Sequence, residues 1–328
     1  MATVWSRAPL PNTDVPDPRP GAEAARGAAK AAAQRLLERG ERELTTAYTH
    51  VAAQNIRVEG ARHGTLHRCL CRIPCFGSWV VIDEASQLTA IVWAAVLRWI
   101  HSGARFRVLG DFRSQFGPAY DRWRHNTVAA SAENSAMFKR LCGFNRVNFT
   151  AYRRGNDQTF FDFYTAMVDR PVADCLVGAK ASFPTKPGHA LWNLTVSNRH
   201  RKRLNLQLNA QASRGQRGVW VVKADQVDNQ GFWLFPGLHL IGCATERGIF
   251  NGQLYTVASV AEAVVLRVLD SEAEVTLLRE EVKCLKPAHA LCYYAAQGRT
   301  LRGRVRLWVD HSRLSTIHLI VGLSRATS

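Results

Sequence analysis

A chain of 328 residues suits one large domain or two of ordinary size, and 47% hydrophobic against 21% charged residues allow a sizeable core, which excludes a chiefly disordered protein. No stretch approaches the roughly 20 uninterrupted apolar residues of a membrane span; even Ile91 to Ile100 carries Arg98, and the N-terminus lacks the apolar block of a secretory signal. Forty-three Lys and Arg against 26 Asp and Glu leave a formal charge of +17, which calls for a polyanionic partner, nucleic acid first, because each neutralised phosphate releases condensed counterions.

The leader, residues 1–20, carries prolines at 9, 11, 16, 18 and 20 and is expected to be disordered. It has a few features of an organelle transit peptide, against which Asp14 and Asp17 count. An intracellular place is expected: nuclear or organellar in a eukaryote, otherwise cytoplasmic or viral. An Ala-rich helix follows from Gly21 to Arg39 with Gly40 as its C-cap, then a short strand from Arg42 to Ala47. Trp79 to Ile82 is a continuous apolar strand ending at Asp83-Glu84; a helix runs from about Leu88 to Ile100, and Phe106 to Leu109 is the next strand, ending at Gly110-Asp111. Strand, helix and strand with wholly apolar strands predict a parallel sheet covered on both faces.

A second α/β unit starts with the strand Leu191 to Val196 and the basic helix Arg199 to Leu208. Between about 215 and 285 short alternating runs recur (Gly218 to Val222, Leu238 to Ile241, Leu254 to Val257, Val264 to Val268, Val275 to Leu278), separated by Gly, Asn and Asp. They predict a small antiparallel β insertion. Strands return at Ala290 to Tyr294 and Val305 to Val309, and the last apolar segment is Ile317 to Leu323. The domains expected are 21–150 and 151–328, the second holding the insertion.

Eight cysteines, at 69, 71, 75, 142, 175, 243, 284 and 292, read as reduced thiols. His63, His67, Cys69, Cys71 and Cys75 have the residue types of a zinc site but not its two separated ligand pairs, so thiols are expected there rather than zinc. Among the aromatic residues, Tyr48, Trp123 and Trp233 could stack on bases, although core packing accounts better for Trp233.

The strongest local signal is Val80-Val81-Ile82-Asp83-Glu84-Ala85-Ser86: two carboxylates where α/β sheets bind ligands. In nucleotide hydrolases the first holds Mg²⁺ and the second orients or deprotonates the attacking water; a helix N-cap explains such a pair equally well. Gly110-Asp111-Phe112-Arg113-Ser114-Gln115 places an amide able to sense a γ-phosphate beside that pair, and an Arg opposite a terminal phosphate would stabilise transition-state charge, although a single Arg in so basic a chain more often makes a surface ion pair.

Taken in order, these segments resemble superfamily 1 helicases of the RecD-like (1B) kind. Asp83-Glu84-Ala85-Ser86 is similar to their motif II and Gly110 to Gln115 to motif III. Tyr152 to Asp157 resembles the region of motif IV, with Arg154 as phosphate contact; Gln297-Gly298-Arg299-Thr300 resembles motif V and Gly322-Leu323-Ser324-Arg325-Ala326 motif VI. Thr45 to Ala53 and Gly64-Thr65-Leu66-His67 resemble motifs Ia and Ib, Leu194 to Asn198 the start of the second motor domain, and Glu246 to Gly252 the Asn-Gly turn before the β insertion. The resemblance covers about residues 42–328.

It implies an α/β protein with two RecA-like parallel-sheet domains, the P-loop NTPase fold, working as an ATP-dependent helicase or translocase. Mg·ATP would bind with Asp83 holding the metal, Glu84 activating water, Gln115 coupling the domains and Arg154 with Arg325 at the γ-phosphate; Gln297 and Gly298 would also line the nucleotide. Single-stranded DNA, or RNA, would pass Thr49, His50, Thr65, His67, Thr195, Asn198 and Thr300, 5′ to 3′, with no membrane involved and the oligomeric state left open.

Two departures stand out. No Gly-Lys dipeptide occurs in the chain, so the family's Gly-x-x-x-x-Gly-Lys-Ser/Thr loop is missing from it; Gly27-Ala28-Ala29-Lys30 has the wrong spacing and lies inside the expected helix. Tyr294 also stands where motif V usually has His. The sequence therefore fits a divergent member, a partial gene product with the loop encoded upstream, or a catalytically inactive nucleic-acid-binding module.

Overall fold

In the computed structural model the described residues are 3–6, 24–71, 74, 76–118, 133–142, 145–148, 157–221, 231–269 and 271–326. They divide into two compact units, Met1–Cys175 with Leu319–Ser328, and Leu176–His318.

The first unit is built on β1 (Thr3–Ser6), β2 (Glu43–Ala47), β3 (Arg62–Thr65), β4 (Trp79–Asp83), β5 (Arg105–Gly110) and β6 (Asn145–Asn148). They form one sheet in the order β3-β2-β4-β5-β1-β6. Strands β2 to β5 are parallel, and β1 pairs antiparallel with both β5 and β6, so it runs against the other five. Thr3–Ser6 lies inside the leader expected to be disordered; these residues instead form a sheet strand, as their β-branched and aromatic side chains favour. Residues 7–23 lie outside the described ones.

Both faces of this sheet are covered, as its apolar strands require. Leu44, Val80, Ile82, Phe106 and Val108 pack against Val92, Trp93, Val96 and Trp99 of the helix Ala90–His101 and against Phe138 and Leu141. On the opposite face Ala47, Trp79, Val81 and Leu109 meet Ala29, Ala33 and Leu36 of the helix Ala24–Glu38, whose spacing forms one apolar stripe. Gly40, at φ +70°, takes the left-handed conformation that closes that helix.

The second unit has a parallel sheet of β7 (Trp192–Thr195), β15 (Ala290–Cys292) and β16 (Val305–Leu307) in the order β15-β7-β16. Between β7 and β15 the chain makes the helix Asn198–Ala212, the ribbon of β8 (Val219–Val221) and β9 (Phe232–Leu234), and an antiparallel sheet. That sheet joins β10 (His239–Gly242), β11 (Leu254–Val260), β12 (Ala263–Val268), β13 (Glu274–Leu278) and β14 (Leu285–Pro287) in the order β13-β12-β11-β10-β14. The alternating runs thus form the expected insertion, with a core of their own around Leu240, Tyr255, Val257, Leu266 and Leu285.

Three local expectations change. The strand expected over Ala290 to Tyr294 stops at Cys292, and Tyr293–Ala296 turns into a short helix; that expected over Val305 to Val309 stops at Leu307. Trp233, expected in the core, is exposed, because alternation along β9 sends Phe232 and Leu234 inward and Trp233 outward. Among the described residues no helix is long and apolar enough to cross a membrane. Cys69, Cys71, Cys142, Cys175, Cys243, Cys284 and Cys292 form no disulfide, and no group of three or more His, Cys, Asp or Glu among the described residues is placed to hold a metal.

Candidate functional site

Because β2 to β5 run in parallel, the segments after them emerge at one edge of the sheet, where open α/β sheets bind ligands. The register pairs Ala47 with both Thr65 and Asp83, and Ile82 with Val108. Tyr48 to His50, Thr65 to Arg68, Asp83-Glu84 and Asp111 to Gln115 therefore share this carboxyl edge.

Asp83 is the last residue of β4 and partly exposed. Burial, and then the adjacent Glu84 charge, push its carboxyl well above the usual range. Glu84 adopts a left-handed backbone, φ 52° and ψ 41°, a conformation costing a non-glycine residue about 1–2 kcal/mol. It turns the chain out of β4 into a single 3₁₀ turn, Ala85–Gln87, closed by the Gln87 N–H donating to the Glu84 carbonyl at 3.0 Å. Glu84 itself holds the N-cap position of this turn without a side-chain cap hydrogen bond, and the helix that follows is capped by Thr89, its Oγ1 accepting from Val92 N at 3.4 Å. Ser86 is buried beside the acids, and its hydroxyl has no hydrogen-bond partner.

The motif III loop lies directly against this turn. Gly110 approaches so closely that a Cβ there would stand 3.2 Å from Ser86 N and 3.3 Å from Ala85 N and Cβ. Asp111 then folds the loop: its Oδ1 accepts from Arg113 N at 3.1 Å and Ser114 N at 2.9 Å, and its Oδ2 from the Ser114 hydroxyl. That carboxylate is engaged by its own turn, and the residue it presents is Gln115, which is partly exposed. The Gly110-Asp111 turn was expected from the sequence, but the pairing of Asp111 with Ser114 was not, although Asp-x-x-Ser after a strand is a readable turn signal.

At the neighbouring segments Thr49 is an N-cap, its Oγ1 accepting from Ala52 N at 3.2 Å. His50 is held below its ordinary pKa by burial and then by the Arg68 charge. Thr65 is buried, whereas His67 is exposed with its ring 5.3 Å from that of Tyr48, so the segments after β2 and β3 touch. Arg325 belongs to the first unit by its contacts and is 2% exposed. Its Nε donates to Val321 O at 3.1 Å and its Nη2 to Ser324 Oγ at 2.7 Å. Arg154 and Trp123 lie outside the described residues.

The remaining expected contacts belong to the second unit. Thr195 is wholly buried, its hydroxyl donating to the carbonyls of Ser197 at 3.3 Å and Leu291 at 3.5 Å, so it supports the turn at Asn198 rather than facing solvent. Asn198 is exposed, and its Oδ1 accepts from Arg201 Nε at 3.1 Å and Cys292 Sγ at 3.3 Å. Ser197 caps the basic helix by accepting from His200 N at 3.2 Å. An open cavity of about 450 Å³ lies at this helix start, lined by Val196, Ser197, Asn198, His311, Ser312 and Arg313. Gln297 is buried, Gly298 is left-handed at φ +74° and Thr300 is partly buried. Arg299, in the same turn, donates from Nε to Ala295 O at 2.6 Å and from Nη2 to Gly252 O, tying motif V to the Asn251-Gly252 turn.

No family model and no curated protein matches the sequence. Solved structures do match. A Pif1 helicase from Bacteroides in complex with ADP-AlF3 and ssDNA is similar over 98% of this chain and 91% of its own, at TM-score 0.66 and 16% identity. A Pif1 helicase from Candida albicans is similar over 94% and 87%, at 0.61 and 15%. A Bacteroides sp Pif1 in complex with ADP-AlF4 is similar over 92% and 84%, at 0.52 and 17%. At such identity the likeness carries the fold alone, and this chain has the RecA-like α/β architecture of those structures.

Proposed function

We propose that this chain is the motor core of an ATP-dependent helicase or translocase acting on single-stranded DNA, with RNA as the alternative strand and 5′ to 3′ as the direction. The observation that carries the reading is the apposition of the two motif loops: Gly110 against Ala85 and Ser86 sets the Gln115 loop beside the Asp83-Glu84 pair on one sheet edge. The fold likeness to a helicase crystallised with ADP-AlF3 and ssDNA supports it.

The acid pair suits the magnesium ion that accompanies a nucleotide. Two adjacent carboxylates, one of them already pushed toward its neutral form by burial and by the other, call for a compact divalent counter-charge, and Mg²⁺ takes oxygen ligands. Bound there through Asp83, magnesium would neutralise charge on the terminal phosphates of ATP. Glu84 would orient the attacking water and accept its proton, and Gln115 would hydrogen-bond the γ-phosphate without adding charge. Arg154 and Arg325 would stabilise the charge that spreads over the transferring phosphoryl group. Thr49, His50, His67, Asn198 and Thr300 would track the strand, its phosphates drawn by the +17 charge.

The test is ATP hydrolysis by the purified chain with and without oligothymidylate. Stimulated hydrolysis that drops about 10³-fold or more in both Asp83→Asn and Glu84→Gln, with single-strand binding kept, is the expected outcome. The absence of a Gly-Lys dipeptide favours a second reading, a non-catalytic nucleic-acid-binding module. Salt-dependent binding that survives Asp83→Ala and Glu84→Ala, with no hydrolysis and no effect of nucleotide, would establish that one.

A further inference from the structure

The ribbon β8–β9 carries two tryptophans where a surface strand ordinarily carries polar residues. Trp220 and Trp233 are directly opposite in the antiparallel register, with ring centroids 5.3 Å apart at 64°. Alternation turns Val221, Phe232 and Leu234 into the core and leaves Trp220 45% and Trp233 38% exposed. Tryptophan is usually well covered, and by contrast Trp79, Trp93, Trp99 and Trp192 are all buried here.

The pair is held in place from below. Asn209, on the helix Asn198–Ala212, is buried; it donates from Nδ2 to Trp233 O at 2.9 Å and accepts at Oδ1 from Trp233 N at 2.7 Å. Gly231 provides the room for the Trp220 ring, since a Cβ there would fall 2.6 Å from its Cζ2. Two arginines, Arg214 and Arg217, precede β8; the sequence between the two strands adds Lys223, Asp225 and Asp228, and Glu280 and Glu281 belong to the 3₁₀ segment Arg279–Cys284. Arg214 and Arg217 are exposed just before β8; at ~3.3 Å per residue Arg217 starts about 10 Å from Trp220, within reach of the phosphates beside a base stacked on it.

We infer that the Trp220–Trp233 pair is a base-stacking platform for single-stranded nucleic acid, set on the second unit apart from the motif V turn and the Asn198 helix start. Indole faces accept any base, and flanking guanidiniums neutralise the backbone. The chain's formal charge of +17 and the two exposed arginines just before β8 favour this occupant over an apolar protein surface. The inference rests on the nucleic-acid half of the reading above and is independent of hydrolysis.

The experiment measures binding of the full chain to fluorescein-labelled oligothymidylate by anisotropy, without nucleotide, beside an abasic oligomer of equal length and charge. Trp220→Ala and Trp233→Ala are each expected to weaken oligothymidylate binding about tenfold, and to leave the abasic oligomer unaffected. Trp220→Phe and Trp233→Phe, which keep a ring and the ribbon's packing, should retain most of the affinity; equal melting temperatures confirm that the fold is kept. Alanine variants that bind both oligomers as the wild type does overturn the platform, as does a loss equal for both oligomers. Variants that keep oligothymidylate affinity but no longer self-associate in sedimentation overturn it too, in favour of an interface between copies. Since hydrolysis is not measured, failure of the motor reading cannot be mistaken for failure of this one.

Discussion

Most of the buried side-chain groups that lack a hydrogen-bond partner among the described residues lie in the first unit, against two imidazole nitrogens, of His200 and His289, in the second. In the second, buried asparagines clamp the backbone: Asn205 donates to Ala290 O at 3.0 Å and accepts from Ala290 N at 2.7 Å, and Asn193 donates to His289 O at 2.9 Å while accepting from Trp308 Nε1 at 3.1 Å. Asn209, one turn after Asn205, does the same for β9. In the first unit, the Glu43 carboxyl, the Thr46 and Ser86 hydroxyls and the Trp79 and Trp93 indole N–H groups are buried without a hydrogen-bond partner. Paired groups specify a structure, while orphaned ones lower its stability or await a ligand. The largest effect that could break this contrast is at Asn205. Asn205→Leu fills the space but strands the Ala290 N–H and C=O, and at roughly 1–3 kcal/mol for each group a loss of about 4 kcal/mol is expected in urea unfolding. An unchanged midpoint would mean that water replaces the clamp.

Glu43 sharpens the contrast with the opposite sign. It begins β2 on the face covered by the helix Ala24–Glu38, opposite Trp79 in register, and Arg105 and Arg107 lie over that indole at 4.6 and 4.8 Å. Burial raises its carboxyl from 4.5 to about 7, against the pull of Arg107. The folded state therefore holds this proton more tightly than the unfolded chain, so stability is complete below about 4.5 and is lost as pH rises toward 7. A shift of that size, with the pull of Arg107 already included, corresponds to at most about 3 kcal/mol. Glu43→Gln is expected to stabilise the chain by about 1–2 kcal/mol at pH 8 and by almost nothing near pH 4.5. Melting temperatures of both proteins across that range provide the check, and a difference that is flat with pH would refute the account.

The same contrast explains what could be seen in advance. The acid pair, the Gly-Asp turn and the alternating runs of the insertion were legible because each is local: a strand's apolar run, a turn residue, a period of two. At β1 the local β-propensity of Thr3–Ser6 was outweighed by the proline-rich stretch beside it, and its partners are strands a hundred residues away. Trp233 was assigned to the core by residue type, but its place in the two-residue alternation of β9 decided the matter. Thr195 was read as a contact by motif position, while its burial depends on the Leu291 carbonyl, 96 residues on. The asparagine clamps were missed for the same reason, because an Asn on a basic helix gives no sign of the strand it will hold.

Thr46 offers the smallest effect and the strictest test. It is fully buried on β2, shares a face with Leu44 and pairs in register with Ile82, both in the main apolar cluster of the first unit. Its hydroxyl faces that cluster and meets no acceptor. Threonine and valine have nearly the same shape, so Thr46→Val removes an unsatisfied polar group and leaves no cavity. The variant should gain about 1 kcal/mol of stability, a small upward shift of the urea midpoint with an unchanged slope, and should bind nucleic acid as the wild type does. A loss instead would show that the hydroxyl has a partner, such as a buried water, and that the first unit too satisfies its interior.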